Sequence, residues 1–86
     1  MKMIIVIAKD HLTDALTRAL TAGQYRVTGI ASTGGFMRSG VATLLIGVED
    51  EQVEPAIELI RKTVGTGSDE KQATLFVVPV SRFEQV

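Results

Sequence analysis

Eighty-six residues, 45% of them hydrophobic, supply enough material for one folded core and no second, so the chain is read as a single domain spanning 1–86. Nine basic residues, scattered along the chain, against ten acidic ones leave a net charge of −1, which argues against DNA or RNA as the main partner, although one or two local cations could still hold a small anion. Cysteine is absent, which excludes disulfides, thiolate catalysis and zinc–sulfur sites and fits a reducing cytoplasm.

The opening run Ile4-Ile5-Val6-Ile7-Ala8 is too short to cross a membrane and is ended by Lys9-Asp10 with no small-residue cleavage site, so residues 2–8 are predicted to be a first strand, not a signal peptide. Asp10 is placed to cap a helix in which Leu12, Leu16, Ala19 and Leu20 recur at helical spacing, and Gly23 is expected at its C′ position. Residues 25–33 alternate bulky and polar side chains as a second strand. A glycine-rich loop follows, and residues 42–48 form a third strand. Glu49-Asp50-Glu51 puts acids at the positive end of a second helix, with Val53, Ile57, Ile60 and Val64 as its apolar stripe. Pro55 belongs in the first turn of that helix and moves its true start beyond Asp50, while Gly65 closes it. A short polar loop over 65–72 leads to a fourth strand over 73–80, where Pro79 marks an edge or a strand end. The polar tail Ser81–Val86 finishes the sequence.

The order β-α-β-β-α-β is the ferredoxin-like arrangement, an α+β fold with two helices on one face of an antiparallel sheet. A sheet with one solvated face alternates apolar and polar residues. Ile4-Ile5-Val6-Ile7, Leu44-Leu45-Ile46 and Leu75-Phe76-Val77-Val78 do not. The second face is therefore expected to be buried against other copies, in an obligate oligomer.

Between the second and third strands lies Thr33-Gly34-Gly35-Phe36-Met37-Arg38-Ser39-Gly40, far richer than a hairpin needs. Gly34 and Gly35 permit positive φ and close backbone approach, Phe36 offers a flat apolar face, and Arg38 offers a delocalised cation. A small-molecule cradle and a glycine-assisted turn are both consistent with these residues. Set beside Met1-Lys2-Met3-Ile4-Ile5, Arg26-x-Thr28 and Ala73-Thr74-Leu75-Phe76-Val77-Val78-Pro79-Val80, the loop resembles the PII-like cyclic-di-AMP receptor family over nearly the whole chain.

That resemblance implies a homotrimer with the open sheet faces around a central axis and nucleotide sites in the clefts between subunits. It implies that Phe36 stacks on an adenine, with Met37 in apolar contact, and that Gly34, Gly35, Gly47 and the Thr28 hydroxyl line the base pocket. Arg26, Phe76 and Gln85 would complete the site near the phosphates or the second base, and Gln24 stands where the family has an asparagine. Two departures accompany the likeness. Val41 occupies a position where the family has another asparagine, and the loop before the last strand is much shorter than in known receptors, where it changes order on binding. The expected ligand is cyclic-di-AMP or a related nucleotide, relayed by loop ordering to a downstream protein whose identity the sequence does not give.

Plainer assignments stand beside these. Arg26 reads as a solvated or salt-bridged strand residue, Phe76 as core, Gly29 and Gly47 as marks of bulges or close packing, and Gln85 as part of a fraying tail. His11, the one histidine, reads as a surface residue at a helix start. No resident cofactor or metal is expected and no catalytic constellation stands out. The other functional classes are a small oligomeric enzyme using Asp, Glu or Lys in a cleft, and an interaction or metal-tolerance scaffold without nucleotide.

Overall fold

A computed structural model describes residues 1–30, 40–65 and 72–86. Four strands, β1 (Lys2–Lys9), β2 (Arg26–Ile30), β3 (Val41–Val48) and β4 (Ala73–Pro79), and two helices, α1 (Thr13–Ala22) and α2 (Val53–Val64), follow one another as β-α-β-β-α-β. The strands make one antiparallel sheet in the order β2-β3-β1-β4, as the ferredoxin-like arrangement requires. The C-terminal three residues of the expected second strand lie outside the described residues.

Both helices start through a 3-10 turn, and this corrects the expected role of Asp10. Asp10–Leu12 form the turn, its backbone bond runs from the Thr13 N–H to the Asp10 carbonyl, and no side chain caps it. The sharp exit from β1 uses main-chain bonds instead. The Asp10 N–H itself donates to the Gly40 carbonyl at 2.8 Å. The second helix is prepared differently. Glu49 and Gln52 form a reciprocal capping box around the turn Asp50–Gln52, with the Glu49 N–H donating to Gln52 Oε1 at 2.7 Å. Pro55 is the third residue of α2, inside the first turn where its missing N–H has no helical acceptor to lose.

Gly23 also differs from expectation. It caps α1 at φ −80°, and the positive φ falls on Gln24 at 69°. The glycine is there for space. A Cβ on Gly23 would lie 3.1 and 3.2 Å from the Tyr25 ring and 3.3 Å from Leu59 Cδ2. Gly65 closes α2 at φ +87° as the sequence implied, and Gly40 enters β3 at φ +89°, a conformation that disfavours any side chain.

The core consists of Ile4, Val6, Ala8, Leu16 and Leu20 together with Leu44, Ile46, Val48, Ala56 and Ile60. Each of the first five has its counterpart forty positions later. The two halves of the chain thus bury the same positions of a repeated strand–turn–helix unit, and the helices meet the sheet on the face of the even-numbered residues of β1 and β3.

The opposite face is open. Strand pairing lays it out in rows across β2-β3-β1-β4: Arg26–Gly47–Met3–Val78, then Thr28–Leu45–Ile5–Phe76, then Ile30–Thr43–Ile7–Thr74, and finally Val41–Lys9. Phe76 is 51% and Ile30 44% exposed. Four strands of this length present a face on the order of 400 Å², the size at which apolar patches serve as association or binding surfaces.

Candidate ligand-binding site

The expected site residues on the strands share one face. Arg26, Thr28, Val41, Gly47 and Phe76 alternate with helix-facing neighbours, and all of them lie on the open side of the sheet. The reading of Phe76 as a core residue is therefore corrected: strand parity turns it away from the helices, and it is half exposed. Gly34, Gly35, Phe36, Met37 and Arg38 lie outside the described residues. The chain leaves β2 at Ile30 and re-enters β3 at Gly40-Val41.

Along the strands the site residues are divided between two ends. Arg26 pairs with Gly47 at one end, and Gln24 leads into the same end of β2. The tail that carries Gln85 departs there too, since the Val80 N–H donates to the Met1 carbonyl at 3.1 Å. Val41 opens the other end of β3, opposite Lys9. Gly47 and Val41 are six residues apart on one strand, about 20 Å at 3.3–3.4 Å per residue. Hydrogen bonds to a base need heavy atoms about 3 Å apart. No single base reaches both ends of one chain. Phe76, three strands from Thr28 in the same row, is on the order of 14 Å from it.

Two local features mark the Arg26 end. Gln24 holds a left-handed backbone at φ 69°, rare outside glycine, with its N–H donating to the Thr21 carbonyl at 2.9 Å. Gly47 is exposed, has no left-handed φ, and a Cβ there would meet nothing within 4 Å. Neither backbone conformation nor packing within the chain calls for glycine at position 47, and without a side chain the open face can be closely approached at this point. Gly47→Ala should accordingly leave the thermal stability of the separate chain unchanged or slightly raised, while weakening ligand binding about tenfold; melting curves and titration calorimetry on the same preparation check the two halves of that expectation.

The open face carries few charges. Among its described strand residues the charged side chains are Arg26 and Lys9, both cations. Asp50, near the Arg26 end, is turned to the chain terminus, with its Oδ1 3.4 Å from the Met1 amine and 3.9 Å from Lys2 Nζ. No group of three or more His, Asp or Glu side chains that could hold a metal ion occurs among the described residues.

The family model described as cyclic-di-AMP receptor matches residues 1–72, most of the chain. The chain belongs to the cyclic-di-AMP receptor family. Its match runs through both helices and three of the four strands and stops just before β4. A solved structure of a functionally unknown protein from Pediococcus pentosaceus ATCC 25745 is similar in fold at a TM-score of 0.80 and 32% identity, over 99% of this chain and 96% of that one. The two chains are thus nearly equal in length. Family membership supports a nucleotide-binding signalling role. No helix among the described residues is long and apolar enough to cross a membrane.

Sequence reasoning named strand residues that the register places on one open face, but missed the pairing of Val41 with Lys9. The available signal was parity: Lys9 has the same parity as Met3, Ile5 and Ile7, on the side of β1 away from the core.

Proposed function

We propose that this receptor-family chain assembles as a homotrimer and binds cyclic-di-AMP, or a closely related nucleotide, in clefts between neighbouring copies. The observation that carries this reading is the family match over residues 1–72. The division of the site residues between two ends of the open face supports it. One copy would offer Gln24, Arg26, Thr28 and Gly47, and the next would offer Val41 with the Gly34–Met37 segment. Packing open faces together would remove Ile5, Leu45 and Phe76 from water in each copy and bring unlike ends into one cleft. Phe76 and Gln85 would close the cleft from the β4 side.

Within such a cleft Phe36 would stack on a base, worth about 1–3 kcal/mol with little discrimination among bases. Thr28 would read a base edge through its hydroxyl, and Arg26 would meet a phosphate oxygen with a charge-assisted bond. Val41 offers the base an apolar wall in place of the amide that the family resemblance would put there. Ordering of the segment between β2 and β3 around the ligand would change the surface shown to a downstream protein. The short connection between α2 and β4 leaves that loop as the main candidate for the signal.

Melting curves of the protein with cyclic-di-AMP, ATP, ADP and AMP in turn test the reading. A ligand at a hundred times its dissociation constant adds about 2.7 kcal/mol per site, a shift of several degrees for a domain of this size. The expected result is a shift with cyclic-di-AMP larger than with the mononucleotides. No shift with cyclic-di-AMP at millimolar concentration would overturn the assignment of ligand, and a product in the recovered nucleotide would point to an enzyme instead.

A further inference from the structure

We propose that Lys9 binds a phosphate of the ligand, so that each site holds an anion with two phosphodiesters between Lys9 of one copy and Arg26 of the next. This rests on the nucleotide reading above and extends it to a residue and to a ligand class. Lys9 ends β1 with an extended backbone, φ −64° and ψ 142°, so the alternation of the strand is intact at this position. Its register partner is Val41, and it shares the open side with Met3, Ile5 and Ile7. Directly opposed residues of an antiparallel pair have their Cβ atoms about 4.5–5.5 Å apart, so anything seated against Val41 lies within reach of a four-carbon lysine stem.

The charge pattern carries the argument further. The open face is apolar across its middle rows and carries its two cations at opposite ends of the strands, Arg26 on the edge strand β2 at one end and Lys9 on the central strand β1 at the other. Six residues of strand and two strand spacings separate them, on the order of 20 Å, so within one chain they cannot hold the same small anion. Where the Arg26 end of one copy meets the Val41 end of another, they stand on two sides of one cleft. A cyclic dinucleotide presents one phosphodiester on each side of its ring, whereas a mononucleotide carries its phosphate at one end. Each cation would therefore meet its own phosphate, and the loss of an amide at position 41 would be offset by a charge contact beside it. Lys9 has contacts within its own chain, including the N–H that donates to the Gln72 carbonyl at 3.3 Å. An ammonium has three donors, and a phosphate oxygen takes one of them.

Calorimetric titration of the full chain and its Lys9→Gln and Lys9→Arg variants with cyclic-di-AMP and with AMP, each at low and high salt, tests the proposal. Lys9→Gln should weaken cyclic-di-AMP about tenfold or more and flatten the salt dependence of its affinity. Lys9→Arg should stay within about threefold of the parent, because it keeps the charge. The wild-type preference for cyclic-di-AMP over AMP should narrow in Lys9→Gln. If Lys9→Gln melts lower yet binds cyclic-di-AMP like the parent at both salt concentrations, Lys9 is a structural residue and the proposal is overturned while the nucleotide reading stands. A wild-type chain that binds none of these nucleotides would overturn that reading, and the Lys9 assignment with it.

Discussion

Replacing Ile5 by aspartate should convert the assembly into separate chains. Ile5 lies in the middle of the open face, between Leu45 on β3 and Phe76 on β4. In the separate chain it is half-buried, and an aspartate there still reaches water. Between packed copies it would not. Removing an unpaired carboxylate from water costs several kcal/mol, and the buried isoleucine contributes about 1.5–3 kcal/mol more that the variant loses. Symmetry repeats the defect in every copy, so the penalty multiplies with the number of subunits. Light scattering coupled to size exclusion should give three times the chain mass for the parent and for Ile5→Val, and the mass of one chain for Ile5→Asp. Far-ultraviolet circular dichroism should keep its shape if the sheet and helices survive. Because the site is proposed to need two copies, Ile5→Asp should also lose nucleotide binding although it touches no ligand. A parent protein that runs as one chain would contradict the role given to this face.

Arg26→Ala is expected to weaken cyclic-di-AMP about ten- to a hundredfold. A hydrogen bond to a charged group contributes about 1.5–3 kcal/mol, and each 1.4 kcal/mol is a factor of ten. Arg26 is exposed on the edge strand β2, so truncating it should change the stability of the unliganded chain by no more than about 0.5 kcal/mol. The loss should therefore appear in binding alone. Arg26→Lys should recover only part of it, because a lysine cannot reproduce the planar fork that takes two phosphate oxygens at once. An affinity within twofold of the parent for Arg26→Ala would remove it from the site.

Much of this was legible in the chain because hydrophobic periodicity and glycine punctuation act locally. The four strands, both helices, the closing role of Gly65 and the first-turn place of Pro55 follow from neighbours within a few residues. The absence of alternation in Ile4–Ile7 marked both sides of β1 as apolar before any pairing was known. What escaped depends on space between segments. Gly23 is small because the Tyr25 ring and Leu59 crowd it, and Leu59 is thirty-six positions away. Asp10 belongs to a 3-10 turn and its N–H is accepted by Gly40, thirty positions away at the entry to β3. The forty-residue recurrence of the core was hidden because positions repeat while residue types change, as with Leu16 against Ala56. Phe76 looked like core because an apolar strand gives no sign of which side the helices cover. The separation of Arg26 from Val41, and the company Lys9 keeps, follow from the register alone, and register has no local signature in strands apolar on both sides.

Mixing two defective chains tests most directly whether the site is built by neighbours. Arg26→Ala and Phe36→Ala, each prepared alone, should bind cyclic-di-AMP at least tenfold more weakly than the parent. Unfolded together in equal amounts and refolded, they should form mixed assemblies in which about a quarter of the clefts combine an intact Arg26 from one chain with an intact Phe36 from the other. Calorimetry should then show parental affinity at about that fraction of sites. A mixture that binds no better than its two components would mean that Arg26 and Phe36 serve the ligand from the same chain, and would contradict a receptor whose cleft is shared between copies.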